Sequence, residues 1–369
     1  MTPLVFFLAA QITYDYGVLG LLGYSLMWVL SFIIIYFSKH ISVFLKEDFI
    51  LKEIAKYIYI FETVVCIFLV IKIILTETYF EYLTLINIAL MIVILISIIS
   101  LNKLNEKFVS IGTILLGITL SFLLPTLVYL KVSIPTVYSG IHFLSTDLLK
   151  FDRSATWLLI CCLGIIVVVH QHLYRLVDAQ YTEKKRVSSF LIAGIIAGIV
   201  TISFGSISFL GRAQAVLPDL SDRVSIQVIY RFGGQFGQFL FISITVFISF
   251  FILTKIWKSV KGSNKKSAAL FILKYLLGPG FIVAYLDFTL LDVVLLFGLV
   301  WGPFLGVILF PTSSVILPRL SVAVGIIVGI VLSLQFDIPK GIAVGTIITV
   351  LIMLSIRLVS IYKEKYSSA

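Results

Sequence analysis

The sequence predicts an all-α polytopic membrane protein with about 11 to 12 transmembrane segments, and three observations carry that reading. Hydrophobic residues make up 60% of the chain and charged residues 12%. The apolar residues fall into runs about twenty long, the length a helix needs to cross a hydrocarbon core roughly 30 Å thick. Nearly all Lys and Arg lie in alternate gaps between those runs. Water is not available inside a bilayer to satisfy a non-helical backbone, so the runs are read as helices.

Taken in order, the spans are Leu19–Phe37, Tyr57–Leu75, Tyr82–Leu101, Val109–Leu130, Thr156–His170, Ser188–Leu210, Gln235–Ile256, Ala268–Leu286, Leu290–Phe310, Val315–Leu334 and Gly341–Ile361. A further apolar piece, Thr2–Thr13, is too short to cross alone and reads as a half-helix; it lacks the basic start and small-residue cleavage site of a secretory signal. Tyr57–Leu75 and Tyr82–Leu101 are bulky, branched and nearly free of glycine, as expected of helices that face lipid or scaffold a bundle from outside. Ser188–Leu210 carries Gly194, Gly198, Ser203, Gly205, Ser206 and Ser208, small residues that let helix backbones pack closely. Between spans, the pieces His142–Lys150 and 221–232 are amphipathic and read as interfacial helices on the outer surface. No stretch is polar and long enough to fold apart, so residues 1–369 form one membrane domain.

Six alternate gaps hold nineteen Lys and Arg, and the intervening gaps hold seven. Cytoplasmic loops carry the basic excess, which orients the chain with Lys184–Arg186 and the C-terminus on the cytoplasmic side of the cell membrane and Lys131–Arg153 outside. The net charge of +10 therefore reports topology and contact with anionic lipid, not nucleic acid, because the basic residues sit in separate short loops. The three cysteines lie inside apolar runs and give neither a disulfide framework nor a metal spacing. No nucleophile with a matching base, phosphate-binding glycine loop or paired carboxylates stands out, so the chain is not read as an enzyme.

Ionisable and polar groups inside a span are costly and mark function. The densest set is Gln11, Thr13, Tyr14, Asp15, Tyr16 and Gly17, which reads either as the unwound break of a discontinuous helix or as an ordinary outer turn. Lys72 is near the outer end of its span and reads as snorkelling. His170 and His172 point to different helix faces and make a poor metal pair.

The stretch Gln171–Phe239 resembles the sodium:solute symporter family: Gln171 stands at a polar helix end, the basic loop Lys184–Arg186 follows, and a small-residue helix ends in Gly211, Ala213 and Leu217–Pro218. Residues 15–32 (DYGVLGLLGYSLMWVLSF) and 294–310 (VLLFGLVWGPFLGVILF) are similar to two further helices of that family. The resemblance implies a LeuT-like five-plus-five inverted-repeat bundle, alternating access, and a secondary active transporter that moves a small organic solute. It places an ion site at Thr245 and Ser249 with carbonyls near Ala10 and Thr13, and makes Gln11, Tyr14, Asp15 and Trp157 candidate substrate contacts. Phe250 stands where the family has a second hydroxyl, and the first helix is about half the family's length, so Na⁺ dependence is expected to be weak or absent. No cofactor is expected beyond a coupling Na⁺, and the partners are the lipid bilayer and the solute. The second reading is a relative that has lost transport and acts as a membrane sensor or assembly partner.

Overall fold

The computed structural model describes residues 4–37, 49–77, 106–144, 146–149, 154–177, 187–260, 279–280, 283, 288–310 and 316–367. Their regular structure is helical throughout. The longer elements are α1 (Leu4–Phe37), α2 (Phe49–Glu77), α3 (Glu106–Lys131), α4 (Ile134–Leu144), α5 (Ser154–Val177), α6 (Val187–Gly205), α7 (Ile207–Ala213), α8 (Val224–Val228), α9 (Gly234–Val260), α10 (Leu290–Leu309), α11 (Ile316–Gln335) and α12 (Ile338–Ser367). Among the described residues, nine helical stretches are long and apolar enough to cross a membrane. They match nine of the eleven sequence-predicted spans, while Tyr82–Leu101 and nearly all of Ala268–Leu286 lie outside the described residues.

Residues divide into two compact units that interleave along the chain: Met1–Ser25, Ile60–Asp152 and Ile199–Leu291 form the first, and Leu26–Tyr59, Arg153–Gly198 and Asp292–Ala369 the second. In the first unit, α1 does not run straight. Gly17 has φ 69° and ψ −151°, a region that is essentially closed to residues with a Cβ. Beyond it the chain folds back: a Cβ placed on Gly20 would lie 3.0 Å from the carbonyl oxygen of Ile12, whereas eight residues of straight helix span about 12 Å. Within this unit residues 4–16 and 18–25 are thus the two arms of a helical hairpin that turns at Gly17. Residues through Tyr16 stay helical, so the unwound segment considered from sequence contracts to Gly17 alone.

The same device recurs at Gly234 (φ 66°, ψ −173°). There the π-helical turn Ile229–Gly233 gives way to α9, and a Cβ on Gly237 would sit 3.6 Å from Cγ2 of Ile229. Both reversals read Ile-x₄-Gly-x₂-Gly, at 12–20 and 229–237. The first glycine supplies the turn, and the second lets the returning helix close on the isoleucine eight residues back.

Between these reversals the unit packs on aromatic rings. Phe6 meets Phe204 at 5.0 Å, Phe204 meets Phe241 at 5.4 Å and Phe241 meets Phe7 at 5.3 Å between centroids. All four rings are buried. The glycine-rich helix α6 behaves as the small-residue reading requires: a Cβ on Gly205 would meet the Ala9 carbonyl at 3.1 Å and Thr13 Oγ1 at 2.8 Å. Helix α2 departs from expectation, because 83% of its apolar window is buried inside the protein rather than turned to lipid. Branched side chains all round a helix suit a protein interior and a bilayer equally. Lys72 does not snorkel; its Nζ donates to the Val283 carbonyl at 3.1 Å.

The second unit is built on the α11–α12 hairpin, where Gly325 and Gly329 face Gly345 and Gly341; a Cβ on Gly329 would lie 3.1 Å from the Gly341 carbonyl oxygen. Asp337 caps α12, its Oδ1 accepting from the Lys340 N–H at 2.8 Å, with Pro339 inside the first turn. Cys162 of α5 donates its Sγ–H to the Pro339 carbonyl at 3.2 Å, and Trp301 of α10 is fully buried against Phe304.

Candidate functional site

The polar groups of the first unit gather around the Gly17 turn. Gln11 lies two turns inside α1, facing away from water at 1% exposure. Its Nε2 donates to Ser221 Oγ at 3.2 Å, and its Oε1 accepts from the Leu291 N–H at 3.0 Å. Ser221 in turn donates to Asp15 Oδ2 at 2.8 Å. Next along the chain, Asp222 is 2% exposed and its Oδ2 accepts from the Leu290 N–H at 3.0 Å. The first two N–H groups of α10 are therefore satisfied from outside the helix by Asp222 and Gln11. Such groups have no partner within a helix, and inside a membrane they need one from elsewhere.

Arg212, at the end of α7, borders this set. Its Nε donates to the Tyr14 carbonyl at 3.1 Å and its guanidinium lies 3.9 Å from the centre of the Tyr14 ring. The Tyr14 hydroxyl donates to the Val216 carbonyl at 2.9 Å. On the far side of Asp222, Arg223 pairs with Glu77 at 3.4 Å, and Gln227 Nε2 donates to the second Glu77 oxygen at 3.0 Å. The end of α2 is thereby tied to α8. Residues 15, 77, 212–231 and 290, together with the Leu148 backbone against Gly17, all belong to the chain ends that the charge count puts on one side of the membrane.

Of the residues singled out from sequence, Gln11, Tyr14 and Asp15 belong to this network. Ala10 and Thr13 flank it: the Ala10 carbonyl accepts from Ser208 Oγ at 2.7 Å, and Thr13 Oγ1 donates to the Ala9 carbonyl at 2.7 Å. Thr245 and Ser249 are buried in α9. Ser249 Oγ donates to the Thr245 carbonyl at 2.8 Å, the ordinary bond of a membrane-helix serine to its preceding turn. Among the described residues no hydrogen bond joins either of them to Ala10 or Thr13. The Phe7–Phe241 contact explains the separation. α1 reaches the Gly17 turn at its far end and α9 leaves the Gly234 reversal at its start, so Thr245 and Ser249 continue away from Ala10 by about 1.5 Å per residue. Trp157 belongs to the second unit, on α5, and is 51% exposed.

The chain matches no family model, no curated protein and no solved structure. Among the described residues, no group of three or more His, Cys, Asp and Glu gathers in a way that would hold a metal ion.

Sequence reasoning missed Ser221 as the partner of Gln11 and Asp222 as a cap of α10, along with the hold of Arg212 on Tyr14 and the pairing of Glu77 with Arg223. A signal was present for the first two: Ser221, Asp222 and Ser225 place polar groups on one face of a piece otherwise rich in Val and Ile. Nothing local to Gln11 pointed to partners 210 and 280 residues away.

Proposed function

We propose that the chain is a secondary active transporter of the sodium:solute symporter kind, moving a small organic solute across the cell membrane by alternating access. The observation that carries this reading is the set of Gln11 and Asp222, both buried, with the half-buried Asp15 and Ser221, polar groups that come together from distant parts of the chain among apolar helices. Polar groups bought at such desolvation cost mark solute and ion paths in membrane proteins. The alternating basic loops support a cytoplasmic C-terminus. The resemblance of 15–32, 171–239 and 294–310 supports a LeuT-like five-plus-five arrangement.

Sodium coupling of the family's usual kind is weak or absent in this reading. Ser249 spends its hydroxyl on its own helix, and Phe250 offers no oxygen. The same observation favours the second reading, a relative without transport that serves as a sensor or assembly partner. The test is uptake of a panel of labelled solutes by proteoliposomes under an inward Na⁺ gradient, an inward H⁺ gradient, or neither. Transport predicts that at least one solute enters faster than in protein-free liposomes. A folded, monodisperse protein that accelerates none of them would leave only the second reading standing.

A further inference from the structure

We infer that Lys131 and Arg231 hold the headgroup of an anionic phospholipid at the outer end of α3 and α9. Such a site belongs to the lipid-facing surface and is independent of whether the chain transports a solute.

Helix α3 ends at Lys131, and α9 begins beside it after the Gly234 reversal. A Cβ on Gly237 would lie 3.7 Å from Leu124 Cδ2, and one on Gly233 would lie 3.9 Å from Val128 Cγ2. One turn further along α3, the Lys131 ammonium reaches across to within 3.6 Å of where a Cβ on Gly234 would sit. Arg231 precedes Gly234 by three residues, so their Cα atoms are within about 11 Å of each other in any conformation. Both cations therefore stand at the same end of two packed helices, each part of a stretch long and apolar enough to cross a membrane. The basic-loop count assigns that end to the outer leaflet.

Neither cation is engaged by the protein. Among the described residues Lys131 makes no hydrogen bond or ion pair, and the one contact of the Arg231 guanidinium is with the ring of its neighbour Phe232, 5.6 Å from the centroid. The other two arginines of the same segment behave differently: Arg212 is held by the Tyr14 carbonyl and ring, and Arg223 by Glu77 and Asp219. Basic side chains left without a counter-ion between spanning helices, at headgroup depth, attract anionic lipid.

The surroundings select a lipid over a soluble anion. Leu130 and Tyr230, each just before one of the cations, are 78% and 45% exposed, and Phe236 and Phe239 in the first turns of α9 are 66% and 71% exposed. Exposed apolar side chains at the head of a spanning helix face acyl chains, and tyrosine favours the headgroup level. An amphiphile meets both demands, its phosphate answering the cations while its chains cover Leu130, Phe236 and Phe239. A free phosphate or an acidic peptide would satisfy the cations and leave those side chains uncovered. A zwitterionic headgroup brings a cation of its own, so a net-negative one fits better.

The test is thermal unfolding of the purified full-length protein in detergent, titrated with dioctanoyl phosphatidylglycerol, dioctanoyl phosphatidylcholine or glycerol phosphate. A saturable rise in the midpoint is expected with phosphatidylglycerol alone, and it should weaken as NaCl is raised. Lys131→Gln and Arg231→Gln are each expected to lower the apparent affinity about fivefold, the effect of one basic residue near an anionic membrane surface, and the double variant about 25-fold. Lys340→Gln, which alters a cation already paired with Asp337 at 2.8 Å, should leave the affinity unchanged. Neither Lys131 nor Arg231 bonds to the protein, so both variants should unfold at the wild-type midpoint without lipid. If one of them does not, native mass spectrometry of the other, counting retained phosphatidylglycerol, decides. An equal response to both lipids, a response to glycerol phosphate, or a double variant that binds like the wild type would overturn the site.

Discussion

Arg212 grips Tyr14 at two points, donating from Nε to its carbonyl at 3.1 Å and covering its ring at 3.9 Å. The grip joins the end of α7 to the last turn before the Gly17 reversal, and the Tyr14 hydroxyl carries it on to the Val216 carbonyl. A hydrogen bond from a charged donor contributes about 1.5–3 kcal/mol and a partly exposed cation–π contact about 0.5–1 kcal/mol. Arg212→Ala is therefore expected to lower stability by roughly 2–3 kcal/mol. Arg212→Lys should recover less than half of that, since an ammonium cannot stack flat on the ring while donating sideways. Thermal unfolding in detergent measures both; a fully stable lysine variant would show that only the charge matters.

Two glycines should respond to alanine with opposite signs. At Gly17 the backbone conformation excludes a Cβ, and the added methyl would press on the Leu148 backbone, 2.7 Å from its Cα. The loss is expected to reach at least about 1–3 kcal/mol. Gly112, in α3, has open space where a Cβ would go, so Gly112→Ala should be neutral or stabilise by up to about 1 kcal/mol through helix propensity. The paired unfolding midpoints test this, and equal shifts at the two positions would contradict it.

Asp337 provides a pH signature outside the membrane spans. The hydrogen bond from the Lys340 side chain, followed by its backbone N–H and charge, holds the Asp337 carboxyl below its usual range. A lowered folded-state value means that the cap stabilises fully above the unfolded carboxyl range, near about 3.9, and that this stability is lost as pH falls through the folded value. Asp337→Ala is expected to cost about 0.5–2 kcal/mol at neutral pH, and the gap from wild type should narrow steadily below about pH 4. Midpoints of both proteins across that range provide the readout; a gap that widens on acidification would reverse the sign argued here.

Orientation is testable at Asp219, whose side chain is 92% exposed in the segment assigned to the outside. In a background lacking Cys66, Cys161 and Cys162, Asp219→Cys is expected to react with a membrane-impermeant maleimide added to intact cells. Labelling only after the cells are broken open would invert the whole topology.

Much of the architecture was legible because span length and basic loops are one-dimensional signals. Gly-rich α6 announced its close packing, and it delivers it at Gly205 against Ala9 and Thr13. Helix α2 was misjudged because apolar character does not distinguish a protein neighbour from a lipid tail. The site was half legible: Gln11, Tyr14 and Asp15 stood out as polar groups in an apolar arm, but Ser221 and Asp222 looked like an ordinary outer loop. Their role depends on Gln11, 210 residues earlier, and on the start of α10, 68 residues after Asp222, neither of which a pattern local to them encodes. Ser249 was chosen by resemblance, and resemblance carries no information about where its hydroxyl bonds, which here is the Thr245 carbonyl of its own helix.

The long reach of Gln11 has a consequence for biosynthesis. Its partners Ser221 and Leu291 follow 210 and 280 residues later, so at about 5–20 residues per second the ribosome needs roughly a quarter of a minute to a minute to supply the second of them. During that interval the first arm has a polar amide without its final bonds, which hydrocarbon tolerates poorly. Translation order therefore makes the earliest segment of the first unit the last to settle, and the insertion machinery has to shelter it until α10 emerges.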